Sequence, residues 1–193
     1  MKINTNNNKE SVFTEIKKCR ICESNKMVEV IKIENQFLSP IFVKENKGYL
    51  SEIKVPHTLV MCEECDLLQL KETVLPDLLY KSYFYRSAAE NIDWSHVDKN
   101  IKIVNNYFND DSVKECELPK KVKVFTSCAM FYDLDDPNSF VRTVKDNLHE
   151  EGVFCIQLSY LPAMLKNLNF YDICNEHLEY YSLATLNNLM MRH

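Results

Sequence analysis

Glycine is nearly absent from this sequence, in which only Gly48 and Gly152 occur among 193 residues. Loops that hold phosphates or nucleotides need glycine where the backbone approaches a ligand closely or takes a positive φ. Neither a GxGxxG nor a GxxxxGK pattern is present. The composition therefore excludes the usual glycine-rich nucleotide-binding loops.

The sequence also lacks a long apolar run and an excess of positive charge. No apolar stretch approaches the ~20 residues of a membrane-spanning helix, and the polar, asparagine-rich first ten residues contain no signal-peptide core. The net charge of -5 argues against a nucleic-acid partner. We therefore expect a cytoplasmic globular protein with reduced thiols and with no nucleic-acid or membrane partner.

Cysteine is abundant, and four of the eight cysteines form two CxxC pairs, Cys19 with Cys22 and Cys62 with Cys65. Each CxxC turn places two thiolates on one side of a tight loop, and two such turns complete a tetrahedral four-sulfur site that suits structural zinc. The alternative is four reduced cysteines packed as small apolar residues, but the paired spacing favours zinc. The remaining cysteines lack ligand spacing and are expected to be structural: Cys116, Cys128, Cys155 and Cys174.

The order of motifs divides the chain into four segments. Residues 1–10 are expected to be a disordered tail and residues 11–70 a small β-rich zinc-binding domain. Residues 71–93 are a linker with a cluster of aromatic residues, which is either a packing seam or part of a site. In residues 94–193, predicted strands alternate with predicted helices as in a partial α/β domain, so the predicted fold class is α/β.

Strands and helices are predicted from the period of the apolar residues. The predicted strands cover 28–33, 58–61, 67–70, 122–127 and 153–158. The predicted helices cover 76–81, 94–108, 138–148, 161–168 and 183–190, with a polar connection at 109–120 and Gly152 ending the third helix.

The strand, helix and strand between residues 122 and 158 predict a βαβ unit with parallel strands. Two parallel strands with one crossover helix cannot cover both faces of their sheet. We expect either the helix at 94–108 to cover the free face, or a protein partner or self-association to do so.

The segment from Asn175 to Ser182 concentrates reactive side chains. His177 has carboxylates at positions -1 and +2, and a histidine with a carboxylate partner is a good proton acceptor near neutral pH. The alternative is a polar surface loop before a helix. The other histidines are expected at the surface: His57, His96, His149 and His193.

Residues 126–137 follow the first strand of the α/β segment. In open parallel sheets, ligands lie beyond the carboxyl ends of the strands. The acidic residues of this loop therefore either line a site or cap the helix that begins near Asn138.

Three blocks of the sequence together resemble one family, the zinc-containing, S-adenosylmethionine-dependent C-methyltransferases that act on nucleotide-linked deoxysugars. The blocks are KCRICES with LVMCEECDLLQL, then YFYRSAAEN, and then FTSCAMFYDLDDPNSFVRTVKDNL, GVFCIQLSYLPAML and YDICNEHLEYYSL. The resemblance implies a zinc domain followed by a Rossmann-like methyltransferase domain. It also implies a nucleotide-linked sugar as substrate, with structural zinc and S-adenosylmethionine as cofactors.

The resemblance assigns roles to individual residues. It makes His177 the base that removes the proton from the sugar carbon to be methylated, with Glu176 beside it. The tyrosines that it places at the substrate are Tyr83, Tyr85, Tyr180 and Tyr181.

The sequence also departs from the family pattern. The family's glycine loop, E-I-G-S-N-D-G, should lie between the helix at 94–108 and the strand at 122, where this chain has only residues 109–121. The first half of the Rossmann domain and the family's C-terminal domain are therefore expected to be missing. Asp133 stands where many relatives have histidine. The residues that would bind the cofactor are unidentified. We expect an impaired or inactive methyltransferase. The alternative is a non-catalytic zinc-binding protein that is structural or completes a sheet in a partner.

Overall fold

The structure is a computed structural model that describes residues 11–39, 52–80, 101–104, 106–118 and 120–193. The described strands are β1 (Phe13–Glu15), β2 (Met27–Phe37), β3 (Lys54–Cys62), β4 (Leu68–Leu70), β5 (Glu72–Val74), β6 (Val122–Cys128), β7 (Leu148–Gln157) and β8 (Glu179–Tyr180). The described helices are α1 (Pro76–Tyr80), α2 (Asp110–Glu115), α3 (Pro137–Asn147), α4 (Leu161–Asn167) and α5 (Leu183–Met190). None of these helices is both long and apolar enough to cross a membrane.

The first part of the chain forms an antiparallel sheet in the order β2-β3-β4-β8, with β1 and β5 paired separately. The strands predicted at 28–33, 58–61 and 67–70 are confirmed as parts of β2, β3 and β4. The fourth strand, β8, was not predicted. Its two residues pair with Leu68 and Gln69 of β4, so the segment that carries His177 leads directly into the sheet of the cysteine loops.

The second part of the chain contains the parallel pair β6 and β7, joined by α3. The parallel pairing and the helix over 138–147 are confirmed. The expectation that Gly152 ends the helix is wrong, because α3 ends at Asn147 and Gly152 lies inside β7. A Cβ atom at Gly152 would lie 2.6 Å from Leu148 Cδ1 and 2.8 Å from the His149 carbonyl oxygen, so this position excludes a larger residue unless the strand shifts.

The helix predicted at 94–108 is wrong in the part that the structure describes, since residues 101–104 and 106–108 are not helical. The Asn106 side chain accepts a hydrogen bond from the Tyr107 amide at 2.9 Å, which is the local competition that makes asparagine a poor helix former. Ile101 is 58% exposed and so covers no sheet surface. Within the described part of this stretch, Phe108 does pack as expected, because its ring lies against Phe125 and Phe140.

The polar connection predicted at 109–120 instead contains α2. Asn109 caps this helix with its side-chain oxygen, which accepts from the amides of Asp111 and Ser112 at 3.0 and 2.9 Å. The Asn109 amide in turn donates to the Ser112 hydroxyl oxygen at 2.9 Å, which completes a capping box. The cap explains why so polar a segment is helical.

The hydrophobic core joins the two parts of the chain. One buried cluster contains residues of the cysteine loops and of the α/β segment: Cys19, Ile21, Cys62, Cys65, Leu67, Phe131, Phe140, Val141, Val144, Tyr181 and Leu189. The outer face of the β6-β7 pair is left open, since the facing residues Val124 and Val153 are 62% and 55% exposed. Association through this face stays a prediction.

Candidate zinc centre and catalytic segment

The sulfur atoms of Cys19, Cys22, Cys62 and Cys65 all lie within 4.8 Å of one another. The Cys19 and Cys65 sulfurs are 3.6 Å apart, and those of Cys22 and Cys62 are 3.4 Å apart. A tetrahedral zinc site with Zn–S bonds of about 2.3 Å has sulfur–sulfur edges of about 3.8 Å. The four sulfurs therefore fit a closed tetrahedral zinc site, in which they supply structural stability and leave no position for substrate.

Contact between the sulfurs and burial shift the pKa values of three of the four thiols. A hydrogen bond from the Cys65 thiol lowers the pKa of Cys19 to about 4, and the same contact raises the pKa of Cys65. Burial raises the pKa of Cys22 to about 11. Because metal binding requires thiolates, a cation that binds this cluster releases the protons of its thiols.

Arg20 lies between the first two zinc ligands and connects them to the rest of the molecule. Its side chain is 2% exposed. The guanidinium donates to the Leu70 carbonyl oxygen at 2.6 Å, to Thr73 Oγ1 at 2.7 Å and to Asp135 Oδ1 at 3.2 Å. Because Asp135 precedes α3, this buried side chain bridges the cysteine loop and the α/β segment.

Asn138, in the first turn of α3, holds the same loop from the other side. Its side-chain amide donates to the carbonyl oxygens of Arg20 at 2.7 Å and Ile21 at 3.0 Å. Asp136 caps α3 by accepting a hydrogen bond from the Ser139 amide at 2.9 Å. The residues at the start of α3 thus both begin the helix and support the cysteine loop.

His177 lies against the turn that follows β6. Its Nδ1 is 2.8 Å from the Asp172 carbonyl oxygen, a contact in which Nδ1 carries the proton and donates. The ring meets Tyr132 edge to face with 4.3 Å between centroids. The Leu178 amide donates to the Tyr132 carbonyl oxygen at 2.7 Å. With Nδ1 protonated, the lone pair of the imidazole resides on Nε2, which is the arrangement that a general base requires.

Glu176 immediately precedes His177 in the chain and is buried, at 9% exposure. One of its carboxylate oxygens accepts a hydrogen bond from the Ser39 hydroxyl. The Asn175 side-chain oxygen accepts from the Ser39 amide at 3.1 Å. Ser39 follows β2, so the cysteine-containing part of the chain fixes the position of Glu176.

Asp133 is a second carboxyl group at this site. It ends the short 3₁₀ turn Phe131–Asp133 that follows β6, and its Oδ1 atom is buried without a hydrogen-bond partner among the described residues. Burial and the charge of Glu176 raise the pKa of Asp133 to about 8. Burial, with Glu176 as a further cause, raises the pKa of the nearby Cys174 to about 12. The site therefore holds protons at neutral pH on groups close to Glu176.

The four predicted substrate tyrosines have different positions. Tyr83 and Tyr85 lie outside the described residues. Tyr180 and Tyr181 are 3% and 0% exposed. Their hydroxyls have no hydrogen-bond partner within the described part of the chain, so neither is a surface group that awaits a substrate in solution.

His57 was predicted at the surface, and this prediction is wrong, because the side chain is 3% exposed on β3. Its two neighbours on the same face of the strand, Val55 and Leu59, are buried as well, so the alternation of β3 places His57 inside. The alternating pattern Val55, His57, Leu59 was the signal in the sequence. Ser39 and Arg20 gave no such signal, because their roles depend on contacts with residues more than 45 positions away.

Comparison with known proteins identifies both parts of the chain. A family model described as a zinc binding domain matches residues 19–80. A family model described as a methyltransferase domain matches residues 72–193, which is more than half of the chain. The chain is also similar to the C-methyltransferase NovU of Streptomyces niveus, with 20% identity over 239 aligned positions that cover 95% of this chain. The chain spans 57% of the length of that relative.

A methyltransferase domain implies S-adenosylmethionine as the methyl donor. A loop that binds this cofactor would be expected at the turn after β6, at the carboxyl end of the strand. Ala129, immediately after β6, takes a positive φ of 51° without being glycine. Its amide donates to the Gln157 carbonyl oxygen at 2.9 Å and so is not free to hold a ligand. The described residues therefore do not form a glycine-type cofactor loop.

Proposed function

The chain belongs to the methyltransferase-domain family, and on that premise we propose that it acts in C-methylation of a nucleotide-linked deoxysugar, with weakened retention of the methyl donor. His177 is the proposed general base and Glu176 the carboxylate that accompanies it. The proposal for the substrate is supported by the resemblance of the EHLEYY segment and by the similarity to a C-methyltransferase.

The observation that carries the proposal is the setting of His177. Its Nδ1 donates to the Asp172 carbonyl oxygen at 2.8 Å. The Tyr132 ring packs against the imidazole with 4.3 Å between the ring centroids. A histidine fixed in one tautomer, beside a buried carboxylate, is what abstraction of a proton from carbon requires.

The chemistry begins with a carbon next to a carbonyl group, where a C–H bond is acidic enough for a histidine base. Nε2 of His177 takes the proton, and the electron pair of the broken C–H bond remains on the substrate. The imidazolium that forms keeps its Nδ1 hydrogen bond to the Asp172 carbonyl oxygen. S-adenosylmethionine, if bound, would supply the methyl group as an electrophile and would leave as the thioether S-adenosylhomocysteine.

Substitution of His177 tests this proposal. His177→Asn keeps a side-chain donor that reaches toward Asp172 but removes the base, so we expect transfer of labelled methyl groups to nucleotide-linked keto-deoxysugars to fall by about 10²-fold or more. His149→Asn, a histidine outside the site, is the matched control. The assignment is wrong if His177→Asn transfers methyl groups as fast as the parent chain.

The described residues form no glycine-type cofactor loop, and this favours a second hypothesis, in which the chain is a non-catalytic zinc-binding protein. Calorimetric titration with S-adenosylmethionine separates the two readings. Weak, saturable binding together with histidine-dependent turnover supports the enzyme. Absence of heat at millimolar cofactor, with no transfer, supports the non-catalytic protein.

A further inference from the structure

A groove of about 510 Å³ lies between strand β2 and helix α4. The strand contributes Ile31 and Ile33 to its wall, and the helix contributes Met164 and Leu165. Ile31 and Leu165 are 48% and 62% exposed, so the groove is open to solvent along its rim. Its volume lies within the range of sites that bind ligands in proteins.

The wall of the groove is apolar and contains no lysine, arginine, aspartate or glutamate. Gln36 and Asn169 add two uncharged amides. His57 and Tyr180 line the wall as well, but the polar atoms of their side chains have almost no accessible surface, so these two residues contribute only ring carbons. The groove therefore suits aliphatic side chains and uncharged polar groups, and it does not suit a phosphate or a carboxylate.

The strand that forms one side of the groove is also the edge of its sheet. The strand order is β2-β3-β4-β8, and within the described ranges no strand pairs with the outer edge of β2. In an antiparallel sheet, every second residue of an edge strand directs its N–H and C=O groups away from the neighbouring strand. Strand β2 therefore presents backbone donors and acceptors directly beside the apolar groove.

The pairing of β2 with β3 directs apolar side chains of β2 to the groove. Ile31 lies opposite Leu59 and Ile33 lies opposite His57, and all four residues line the groove. The register shifts at Val30, where a bulge turns this valine to the groove as well. A strand added beside β2 would have every second side chain on this same face of the sheet.

The charged residues of β2 lie outside the groove lining. Glu29, Lys32 and Glu34 belong to the strand but do not line the groove. Two glutamates against one lysine favour a neighbouring strand that carries lysine, because opposite charges on adjacent strands stabilise their pairing. The β2 strand of a second copy brings the same excess of negative charge, so a different partner is favoured.

We propose that this groove binds an extended peptide segment of a partner protein, which adds to the edge of β2 as a further strand. Alternate apolar side chains of the segment fill the groove, its backbone pairs with β2, and its lysines face Glu29 and Glu34. In this mode of binding the backbone supplies affinity and the alternate side chains supply specificity. The site needs neither a methyl donor nor His177, so it is independent of the proposed function.

Titration of the zinc-loaded full chain with designed peptides tests the proposal. The probes are acetyl-TVKVTVKV-amide and its counterparts with isoleucine or leucine in place of valine. The control, acetyl-VVKTTKVV-amide, has the same composition as the first probe without the alternation. We expect at least one probe to bind saturably, and the control to bind about tenfold more weakly or worse. No binding of any probe at about 1 mM, or equal binding of probe and control, would overturn the proposal.

Methylation of the peptide backbone separates strand pairing from simple apolar binding. Alternate N–H groups of an added strand face β2, and the others face away from it. N-methylation of alternate residues in one frame should therefore abolish binding, whereas methylation in the other frame should weaken it by no more than about threefold. If both methylated peptides bind as tightly as the unmethylated probe, the backbone is not paired and the proposal is wrong.

A matched pair of variants locates the binding in the groove. Leu165→Glu places a carboxylate on the apolar wall and should weaken binding of the probe by about tenfold or more. Leu168→Glu is the control, because Leu168 is similarly exposed, at 68%, but does not line the groove. Equal affinity of the two variants for the probe would overturn the assignment.

Hydrogen exchange with and without the probe identifies what occupies the edge of β2. We expect amides in residues 27–37 to gain protection when the probe binds, while those in residues 176–183 do not change. Two results would overturn the proposal. A dimer that Leu165→Glu dissociates and that does not bind the probe would assign the groove to a second copy. Full protection of every β2 amide in the free monomer would assign it to another segment of the same chain.

Discussion

Asp133 and Glu176 bring two carboxyl groups to one partly buried site, where two full negative charges are unfavourable. The raised pKa of Asp133, about 8 because of burial and the charge of Glu176, means that Asp133 keeps its proton at neutral pH while Glu176 accepts the hydrogen bond from Ser39. In an unfolded chain Asp133 would have its ordinary value of 3.8 and would be ionised at neutral pH. Asp133 therefore links folding to pH.

The first prediction concerns this linkage. A carboxyl group with a raised pKa favours the folded state fully below the unfolded value, near pH 4, and this contribution is lost as the pH rises toward 8. Asp133→Asn removes this titration, so the parent should lose stability relative to the variant as the pH rises from 5 to 8, by on the order of a few kcal/mol. Urea unfolding at four pH values measures the difference. The exposed Asp146→Asn is the control, and parallel curves for parent and Asp133→Asn would contradict the assignment.

Local motifs in the sequence predicted the zinc centre, whereas the residues around the proposed base could be predicted only in part. Two CxxC turns bring their own sulfurs together, so their spacing is sufficient evidence for the site. The partner of Glu176 is Ser39, 137 residues away, and no local pattern marks such a contact. His57 differs, because the apolar residues Val55 and Leu59 on the same face of β3 mark its position as buried.

At the scale of single elements, capping residues decided where helices form. Ser182 caps α5 by accepting from the Thr185 amide at 3.2 Å, and the sequence predicted this helix correctly. Asn109 caps α2 in the same way, but the surrounding charges made residues 109–120 look like a connection. The apolar spacing of 94–108 predicted a helix that residues 101–104 and 106–108 do not form, because spacing alone does not supply the packing that stabilises a helix.

A second prediction follows from the position of Ile101. Since its side chain is 58% exposed, Ile101→Asp should change the free energy of unfolding by no more than about 0.5 kcal/mol. Phe140→Ala on α3, where the side chain is 9% exposed and packs on Phe131, should cost about 3–5 kcal/mol. Denaturant titration of both variants measures the contrast, and a large loss in Ile101→Asp would show that this segment covers apolar surface.

At the scale of the whole molecule, the zinc loops and the proposed catalytic segment are built around one core. Tyr181 follows β8, is fully buried, and lies in the same cluster as Cys19 and Phe131. The pairing of β8 with β4 and the hydrogen bonds from Arg20 and Asn138 add polar connections across the same region. The sequence predicted a zinc-binding domain at residues 11–70 and a separate partial α/β domain at residues 94–193. That boundary stays a prediction, while the shared core leads us to expect that the two regions unfold together.

Hydrogen exchange during removal of zinc tests the central claim that the metal centre holds the proposed catalytic segment in place. The chain is first shown by elemental analysis to carry about one zinc, as four thiolate ligands require, and is then treated with EDTA while amide protection is followed by mass spectrometry. We predict that peptides covering residues 176–183 lose protection at the same rate as those covering the cysteine loops at 19–22 and 62–65. Retention of protection at 176–183 after the cysteine loops have opened would contradict the account.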